Sequence, residues 1–510
     1  MSVHAEIPEI VRDLLRAESY PHAVELPVRL QQTHISYLLL TGKWAYKIKK
    51  PLNLGFLDFS SLEKRKHFCE EELKLNRHFA PELYRAVLPI SKSSTGHYRL
   101  GQSGTKIVEY ALQMQEFPQD SLFRAMFESK TLELQHLQDL GKRLAKWHLD
   151  AATSDEIADF GSVKATRAVV EDNFKATAKY IGSVQAREQF EQTRSFQLNF
   201  LRDQAQRFSQ RQSNNWIREC HGDLHLNNVC WFPDKALLFD CIEFNREFRC
   251  IDVIYDTAFM VMDLEYRNRR DLAFGFFNTW VENTGDYEGA AMLNFYAGLR
   301  AYVRAKVKSF LLNDPHLPPK QKNALREQTA KFYNLSWKYS QPRPVNCWVV
   351  SGLSGSGKST VAAWLAQQLG AVHIRSDALR KQMSGIALDQ RGNDLLYSQQ
   401  NTERTYDRML ELLDDLSAQG LSVVLDATFG KQEFRKKLSN WSTQRKIALK
   451  FVQCTAPESV LIQRLRKREH DISDATEDIL PFQQKSFEPV TKAEQLSLIS
   501  LDTTTDWKKV

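Results

Sequence analysis

The 510-residue sequence has no stretch near the ~18 consecutive apolar residues of a membrane-spanning helix, so a helical membrane protein is excluded as a reading. Its first ten residues carry Glu6 and Glu9 and lack the apolar centre of a secretory signal, so export is not expected. The seven cysteines are odd in number, scattered, and never spaced C-x-x-C. That argues against a disulfide frame or a cysteine zinc site and for reduced thiols in a cytoplasm. No N-K-x-D-like stretch reads guanine, which favours ATP over GTP, and no nucleic-acid reading module is recognisable. Short basic runs such as Arg435-Lys436-Lys437 read as solvated faces. The net charge of +7 suits phosphate-bearing ligands without establishing a nucleic-acid partner. With 26% charged and 42% hydrophobic residues the composition is that of an ordinary globular protein, and the length predicts two domains. Oligomeric state leaves no signal.

What is present starts with Gly352-Leu353-Ser354-Gly355-Ser356-Gly357-Lys358-Ser359, a complete G-x-x-x-x-G-K-[ST] phosphate loop. Val345 to Val350 reads as the buried strand before it, and Thr360 to Leu369, closed by Gly370, as the helix after it. In such a loop Gly352, Ser354, Gly355, Ser356, Gly357 and Thr360 bring backbone N–H groups to phosphate oxygens at a helix N-terminus. Lys358 reaches the β/γ-phosphates and Ser359 can hold Mg²⁺. ATP and Mg²⁺ are therefore the expected cofactors.

Downstream, Ala371 to Ile374 reads as a second strand delivering Asp377 and Arg380, one helical turn apart, to the carboxyl edge of a sheet. A base beside a phosphate-binding cation is what a hydroxyl acceptor needs; taken alone, Asp377 also reads as a helix cap. A long helix runs to Gly420, with Tyr406, Met409, Leu413 and Leu416 as its core stripe. The strand Leu421 to Thr428 carries Asp426 to the same edge, where it can hold Mg²⁺ or contact the acceptor. Arg464 and Arg468, four apart on a helix from Ser459, can clamp phosphates, Glu469 to Gln483 reads as a lid, and Leu496 to Leu501 as a last strand.

In the first half, Tyr37–Leu40 and Trp44–Ile48 flank the turn Thr41-Gly42-Lys43 as a hairpin, with Lys47 and Lys49 on one face of its second strand. Ser60 and Glu63 read as a capping box opening a helix on which Phe68, Glu72, Leu75 and Phe79 share a stripe. A buried Glu72 needs a cation, and Lys47 is the candidate, with Lys49 the alternative. Leu132 to Leu149 reads as a core helix with His148 structural. His221-Gly222-Asp223-Leu224-His225-Leu226-Asn227-Asn228, followed by a strand ending at Asp240, is a phosphoryl-transfer set. Asp223 can accept the proton of an attacking hydroxyl while Asn228 and Asp240 hold Mg²⁺. Asp252, Asp256 and Asp263 read mainly as caps or surface groups, with Asp256 also able to help a cationic acceptor, and Ser340 to Pro344, with two prolines, reads as a linker.

The order strand lysine, helix glutamate, H-G-D-x-x-x-x-N, then Asp resembles the aminoglycoside phosphotransferase and choline-kinase branch of the protein-kinase-like fold, over residues 25 to 330. The resemblance implies Lys47 on the α/β-phosphates, Glu72 orienting it, Asp223 as catalytic base, and Asn228 and Asp240 as metal ligands. No G-x-G-x-x-G precedes Lys47; Gln32-Thr33-His34-Ile35-Ser36 stands there instead. Residues 345 to 510 resemble P-loop small-molecule kinases related to zeta toxin, gluconate kinase and polynucleotide 5′-kinase, which implies a five-stranded parallel sheet with a lid and Asp377 as general base. The whole chain resembles the bacterial two-domain bifunctional aminoglycoside phosphotransferase/ATP-binding proteins.

The expectation is an α/β and α+β two-domain chain. Residues 1–338 form a protein-kinase-like bilobal domain, 339–345 a linker, and 346–510 a P-loop NTPase domain. Its function is expected to be ATP-dependent transfer to hydroxyls of small molecules such as a sugar, a nucleotide or an aminoglycoside-like compound. Two readings compete: a non-catalytic amino-terminal binding module, and a polynucleotide 5′-hydroxyl kinase.

Overall fold

The computed structural model describes residues 7–55, 57–101, 106–468, 471–491 and 498–509. The chain divides into two compact units. One comprises Met1–Arg143, Trp147–Asp263 and Gly298–Lys338, the other Leu144–Lys146, Leu264–Ala297 and Tyr339–Val510.

The first unit opens with strands β1 (Arg29–Gln32), β2 (Ser36–Leu40), β3 (Trp44–Lys49), β4 (Tyr84–Lys92), β5 (Tyr98–Leu100) and β6 (Ile107–Gln115), in the sheet order β1-β2-β3-β6-β4-β5. Its pairings are antiparallel. The period-two alternation of β3 sends Tyr46 and Ile48 into a core with Leu39, Ile90 and Ala111, and places Lys47 and Lys49 on the opposite face. The helix Leu62–Phe79 buries Arg65, Cys69, Glu72, Asn76 and Phe79, a three-four spacing that makes one stripe. Its N-cap is Ser61, which accepts from the Lys64 N–H, rather than Ser60. The Ser60 hydroxyl is already committed to Asp58 Oδ1 at 2.6 Å and cannot cap.

Short antiparallel pairs follow: β7 (Ile217–Glu219) with β10 (Cys250–Asp252), and the hairpin β8 (Val229–Trp231) with β9 (Ala236–Leu238). The loop His221–Asn228 enters this hairpin and Asp240 leaves it, so the hairpin carries the two acidic segments at its two ends. Helices Val163–Thr177, Arg187–Asp203 and Ala205–Ser213 belong to the same unit.

The second unit is built on five parallel strands, β11 (Asn346–Ser351), β12 (Val372–Arg375), β13 (Val423–Asp426), β14 (Ala448–Thr455) and β15 (Leu498–Asp502), in the order β12-β13-β11-β14-β15. The central β11 runs into the phosphate loop, and the helix Lys358–Leu369 packs Val361, Ala362 and Ala366 back against Val350, Val424 and Val452. The expected helix ending at Gly420 begins only at Gln399. Ser376–Met383 is a separate helix, followed by Gly385 in the left-handed region at φ +66°. Tyr406, Met409, Leu413 and Leu416 are buried along the later piece. All seven cysteines are free and buried, and no helix among the described residues is long and apolar enough to cross a membrane.

Leu264–Ala297 belongs to the same compact unit as the phosphate loop. The edge strand β12 would otherwise present unpaired backbone groups. Asn278, on the helix Arg270–Thr284, supplies them: its Nδ2 donates to the Ala371 carbonyl at 2.9 Å and its Oδ1 accepts from the His373 N–H at 3.0 Å. Asn278→Ala is expected to cost about 1–3 kcal/mol in urea unfolding, since it strands two backbone groups. An unchanged midpoint would show that water replaces the amide.

Candidate functional site

In the first unit the candidate site is a network of charges taken out of water. Glu72, fully buried, accepts from Lys47 Nζ through Oε1 at 2.7 Å and from Lys49 Nζ through Oε2 at 2.6 Å. Lys47 also donates to Asp240 Oδ1 at 2.5 Å, and Lys49 pairs with Glu243. Each lysine thus takes one oxygen of the same carboxylate. Burial pushes the Glu72 carboxyl up, but the two ammoniums outweigh it and hold it at about 2. Glu243 goes the other way: burial raises it, with Lys49 opposing.

Asp223 is held by Asn228, whose Nδ2 donates to its backbone oxygen and to Oδ2, both at 3.0 Å. His225 Nε2 lies 3.2 Å from the same Oδ2. Burial raises the Asp223 carboxyl, yet His225, Arg304 and His221 together keep it well below the ordinary carboxylate range. Asp240 sits at φ +63°, a left-handed conformation that a non-glycine residue adopts only when its surroundings hold it. The holding groups are the Tyr84 hydroxyl, which accepts from the Asp240 N–H at 3.0 Å, and Asn76 Oδ1, which accepts from the Cys241 N–H at 2.9 Å. Its side chain remains about half exposed, at 47%.

Asp256 is neither a surface group nor a cap. Fully buried, it accepts from the N–H groups of His221 (3.2 Å) and Gly222 (2.9 Å) and lies 3.2 Å from His148 Nε2. Gly222 has φ +84°, and a Cβ there would stand 2.6 Å from the Phe248 carbonyl oxygen. The loop before Asp223 is thus tied down by its backbone. Asp263 likewise accepts from the Leu226 N–H at 3.2 Å. Asp256 has one sequence signal, its lodging among apolar residues Val253–Val261; nothing in the pattern named the amides it would meet.

In the second unit, Gly352, Gly355 and Gly357 have positive φ. A Cβ on Gly352 would stand 2.5 Å from the Cys454 carbonyl oxygen and from Ser356 Oγ, so only glycine lets the loop close this tightly. Lys358 begins the helix and makes no ion pair among the described residues; Ser359 and Thr360 follow in its first turn. Asp426 is 1% exposed and neither of its oxygens accepts a hydrogen bond, His373 Nε2 standing 3.4 Å away. Burial raises its carboxyl, and His373, Lys358 and Arg375 outweigh that and lower it. A buried, ionised, under-bonded carboxylate near the phosphate loop fits a divalent cation held with Ser359.

Asp377 bonds Arg380 at 2.8 Å, and both line a cleft of about 410 Å³ together with Ser354 and Lys358. Arg464 and Arg468 line a different cleft, of about 310 Å³, with Gly355, Gly357, Thr360, Thr503 and Trp507. The helix carrying Arg464 ends at Arg466, so Arg468 reaches that cleft from the following turn. Arg464 donates to the Gly355 and Thr503 carbonyls at 3.3 and 3.0 Å. Thr503 and Trp507 lie in a chain end that carried no motif. Of the expected lid, Glu469 and His470 fall outside the described residues. The rest is joined to the unit by Asp471 with Arg375, by Asp474 with Lys381 at 3.0 Å, and by Gln483, whose amide bonds the Ser354 N–H (2.9 Å) and hydroxyl (3.1 Å).

Residues 347–490 match the family model described as an AAA domain. Over 466 residues the chain is 27% identical to Rv2004c, an uncharacterized protein of Mycobacterium tuberculosis (strain ATCC 25618 / H37Rv), with 91% of this chain and 90% of that protein covered. A sugar kinase from Janibacter sp. HTCC2649 is similar over 32% of this chain and 90% of its own, at 27% identity and a TM-score of 0.27. A choline/ethanolamine kinase family protein from Mesorhizobium loti is similar over 62% of this chain and 92% of its own, at 10% identity and a TM-score of 0.36. The family match falls wholly within the second unit.

The Glu72 network generates a stability test. Its carboxyl lies at about 2 in the fold against 4.5 ordinarily, so its stabilisation is complete above the unfolded value and is lost as pH falls through the folded one. Glu72→Gln is expected to lose on the order of 3–5 kcal/mol at neutral pH, because two buried ammoniums lose a shared partner. The gap to the parent should close between about pH 4.5 and about pH 2 in denaturant titrations. A gap independent of pH would contradict the pairing.

Proposed function

We propose that this chain is a cytoplasmic ATP-dependent phosphotransferase in which both units are active, each moving a γ-phosphate to a hydroxyl of a small molecule. The observation that carries the reading is the second unit's arrangement: a lysine without an ion pair at a glycine loop, an under-bonded buried Asp426, and Asp377 with Arg380 on the adjoining cleft. Lys358 binds the β/γ-phosphates. Ser359 and Asp426 hold Mg²⁺, which when bound screens the phosphate charge. Asp377 accepts the proton of the acceptor hydroxyl, and Arg380 keeps that carboxylate oriented. Arg464 and Arg468 contact the nucleotide from the second cleft.

In the first unit Lys47 binds the nucleotide phosphates with Glu72 fixing its direction, Asn228 and Asp240 hold the metal, and Asp223 receives the hydroxyl proton. Asp223 is a weak base, held low by its neighbours, so its contribution is positioning of the hydroxyl more than proton affinity. The free buried thiols suit a reducing compartment.

The test is transfer of labelled γ-phosphate from ATP into a fractionated metabolite extract by the parent, Lys358→Ala and Asp223→Ala. Each variant is expected to lose a different product. If Asp223→Ala changes nothing while Lys358→Ala removes all label, the first unit is a binding module. Asp377→Asn is expected to lower kcat for the Lys358-dependent product by about 10²–10⁴-fold; a drop below tenfold would remove Asp377 as the base.

A further inference from the structure

The 410 Å³ cleft beside Asp377 carries information about its acceptor, on the reading that the second unit is a kinase. Apart from Lys358, the charged side chains that line it have partners inside the protein. Asp474 accepts from Lys381 Nζ at 3.0 Å, from the Gly392 N–H at 2.9 Å and from the Tyr397 hydroxyl at 2.8 Å. Lys431 faces Glu488 at 3.4 Å, and Arg380 is bonded to Asp377 at 2.8 Å. Lys358 is committed to the nucleotide. A carboxylate, sulfate or phosphate on the acceptor would compete for Arg380 with the very carboxylate that must receive the proton. Sites built for such anions present free guanidinium forks.

What the cleft does offer is ring surface and neutral hydrogen-bonding groups. Tyr406 and Phe434 stack at 4.1 Å with an interplanar angle of 7° and form one wall. Tyr397 is 37% exposed, and Phe482, on the lid helix Leu480–Ser486, is 71% exposed although it lines the same cleft. An exposed phenyl ring on a lid gains by covering an apolar face. Arg380 Nε is buried, with no hydrogen-bond partner, and can donate to a neutral oxygen. Thr402, Thr428, Ser473 and Ser486 add hydroxyls.

We infer that the acceptor of the second unit is an uncharged hydroxyl compound carrying a flat aromatic ring, of the nucleoside class, with Phe482 of the lid closing over the ring. A sugar acid or an acceptor bearing its own phosphate is disfavoured. So is a polynucleotide end, whose phosphates would find Arg380 bonded to Asp377 and Lys431 facing Glu488 in this cleft.

The experiment uses the full chain carrying Asp223→Ala, so that the first unit is silent. Calorimetry first measures binding of a non-hydrolysable ATP analogue, with and without Lys358→Ala. With the analogue saturating, uridine, cytidine, gluconate and a 5′-hydroxyl dinucleotide are then titrated, and turnover with ATP is followed by ADP release. A pyrimidine nucleoside is expected to bind and turn over at least tenfold better than gluconate or the dinucleotide. Phe482→Ala is expected to raise its KM about tenfold with kcat within threefold. Tighter binding or faster turnover of gluconate or of the dinucleotide overturns the inference, as does an unchanged KM in Phe482→Ala, or an intact analogue site at which neither nucleoside binds. Analogue binding that Lys358→Ala leaves unchanged in the Asp223→Ala chain instead overturns the kinase reading of the unit on which the inference rests.

Discussion

A carboxylate removed from water must find its cation or its amides inside the protein, and this constraint organises the first unit. Glu72 cannot stay ionised at full burial without compensation, and the compensation is double. One oxygen meets Lys47 and the other Lys49. Because the two lysines are alternate residues of one strand, their shared partner locks the strand to the helix Leu62–Phe79 at a defined register. Glu243 extends the same network to the segment that bears Asp240. Asp256 does the equivalent for the loop that bears Asp223, with backbone N–H groups taking the place of ammoniums. Positioning of the candidate groups is thus a by-product of paying for buried charge.

The second unit handles its carboxylates unevenly, and the unevenness separates roles. Asp474 is saturated by three donors and acts as an anchor for the lid segment. Asp377 has one partner and faces the cleft. Asp426 is buried with neither oxygen hydrogen-bonded, and its charged neighbours His373 and Arg375 stand off at 3.4 and 4.0 Å. The loop itself needs its glycines. Close approach to the Cys454 carbonyl is open only to a residue without a Cβ, and it is this approach that turns the amides outward.

Much of this was legible in residue order. The phosphate loop, its strand and helix, the strands leading to Asp377 and bearing Asp426, and the Lys47–Glu72 pair follow from periodicity and from the cost of burying a charge, whereas the parallel sheet was implied only by the resemblance. Other features were not legible. Ser60 satisfied the capping pattern, but Asp58 had already claimed its hydroxyl, a competition between neighbours that a motif does not record. Asp256 looked like a cap because its partners, the His221 and Gly222 amides, lie more than thirty residues away. Lys49 looked like a rival of Lys47 because a sequence shows how many cations share a strand face, not that one carboxylate has two oxygens to divide between them.

By itself the sequence determined the two chemistries, a glycine loop with its lysine and an Asp–Asn–Asp set, because these depend on residue types at short spacings that the backbone imposes locally. Tertiary structure alone decided how the parts are shared out. It gave Arg464 and Arg468 to a different cleft from Asp377, assigned Leu264–Ala297 to the P-loop unit through Asn278 on an edge strand, and set an exposed Phe482 in the lining of the cleft beside Asp377. The physical reason is common to all three. Which groups end up desolvated together depends on contacts between residues far apart in the chain, and desolvation, rather than local spacing, sets whether a charge is spent within the fold or left for a ligand.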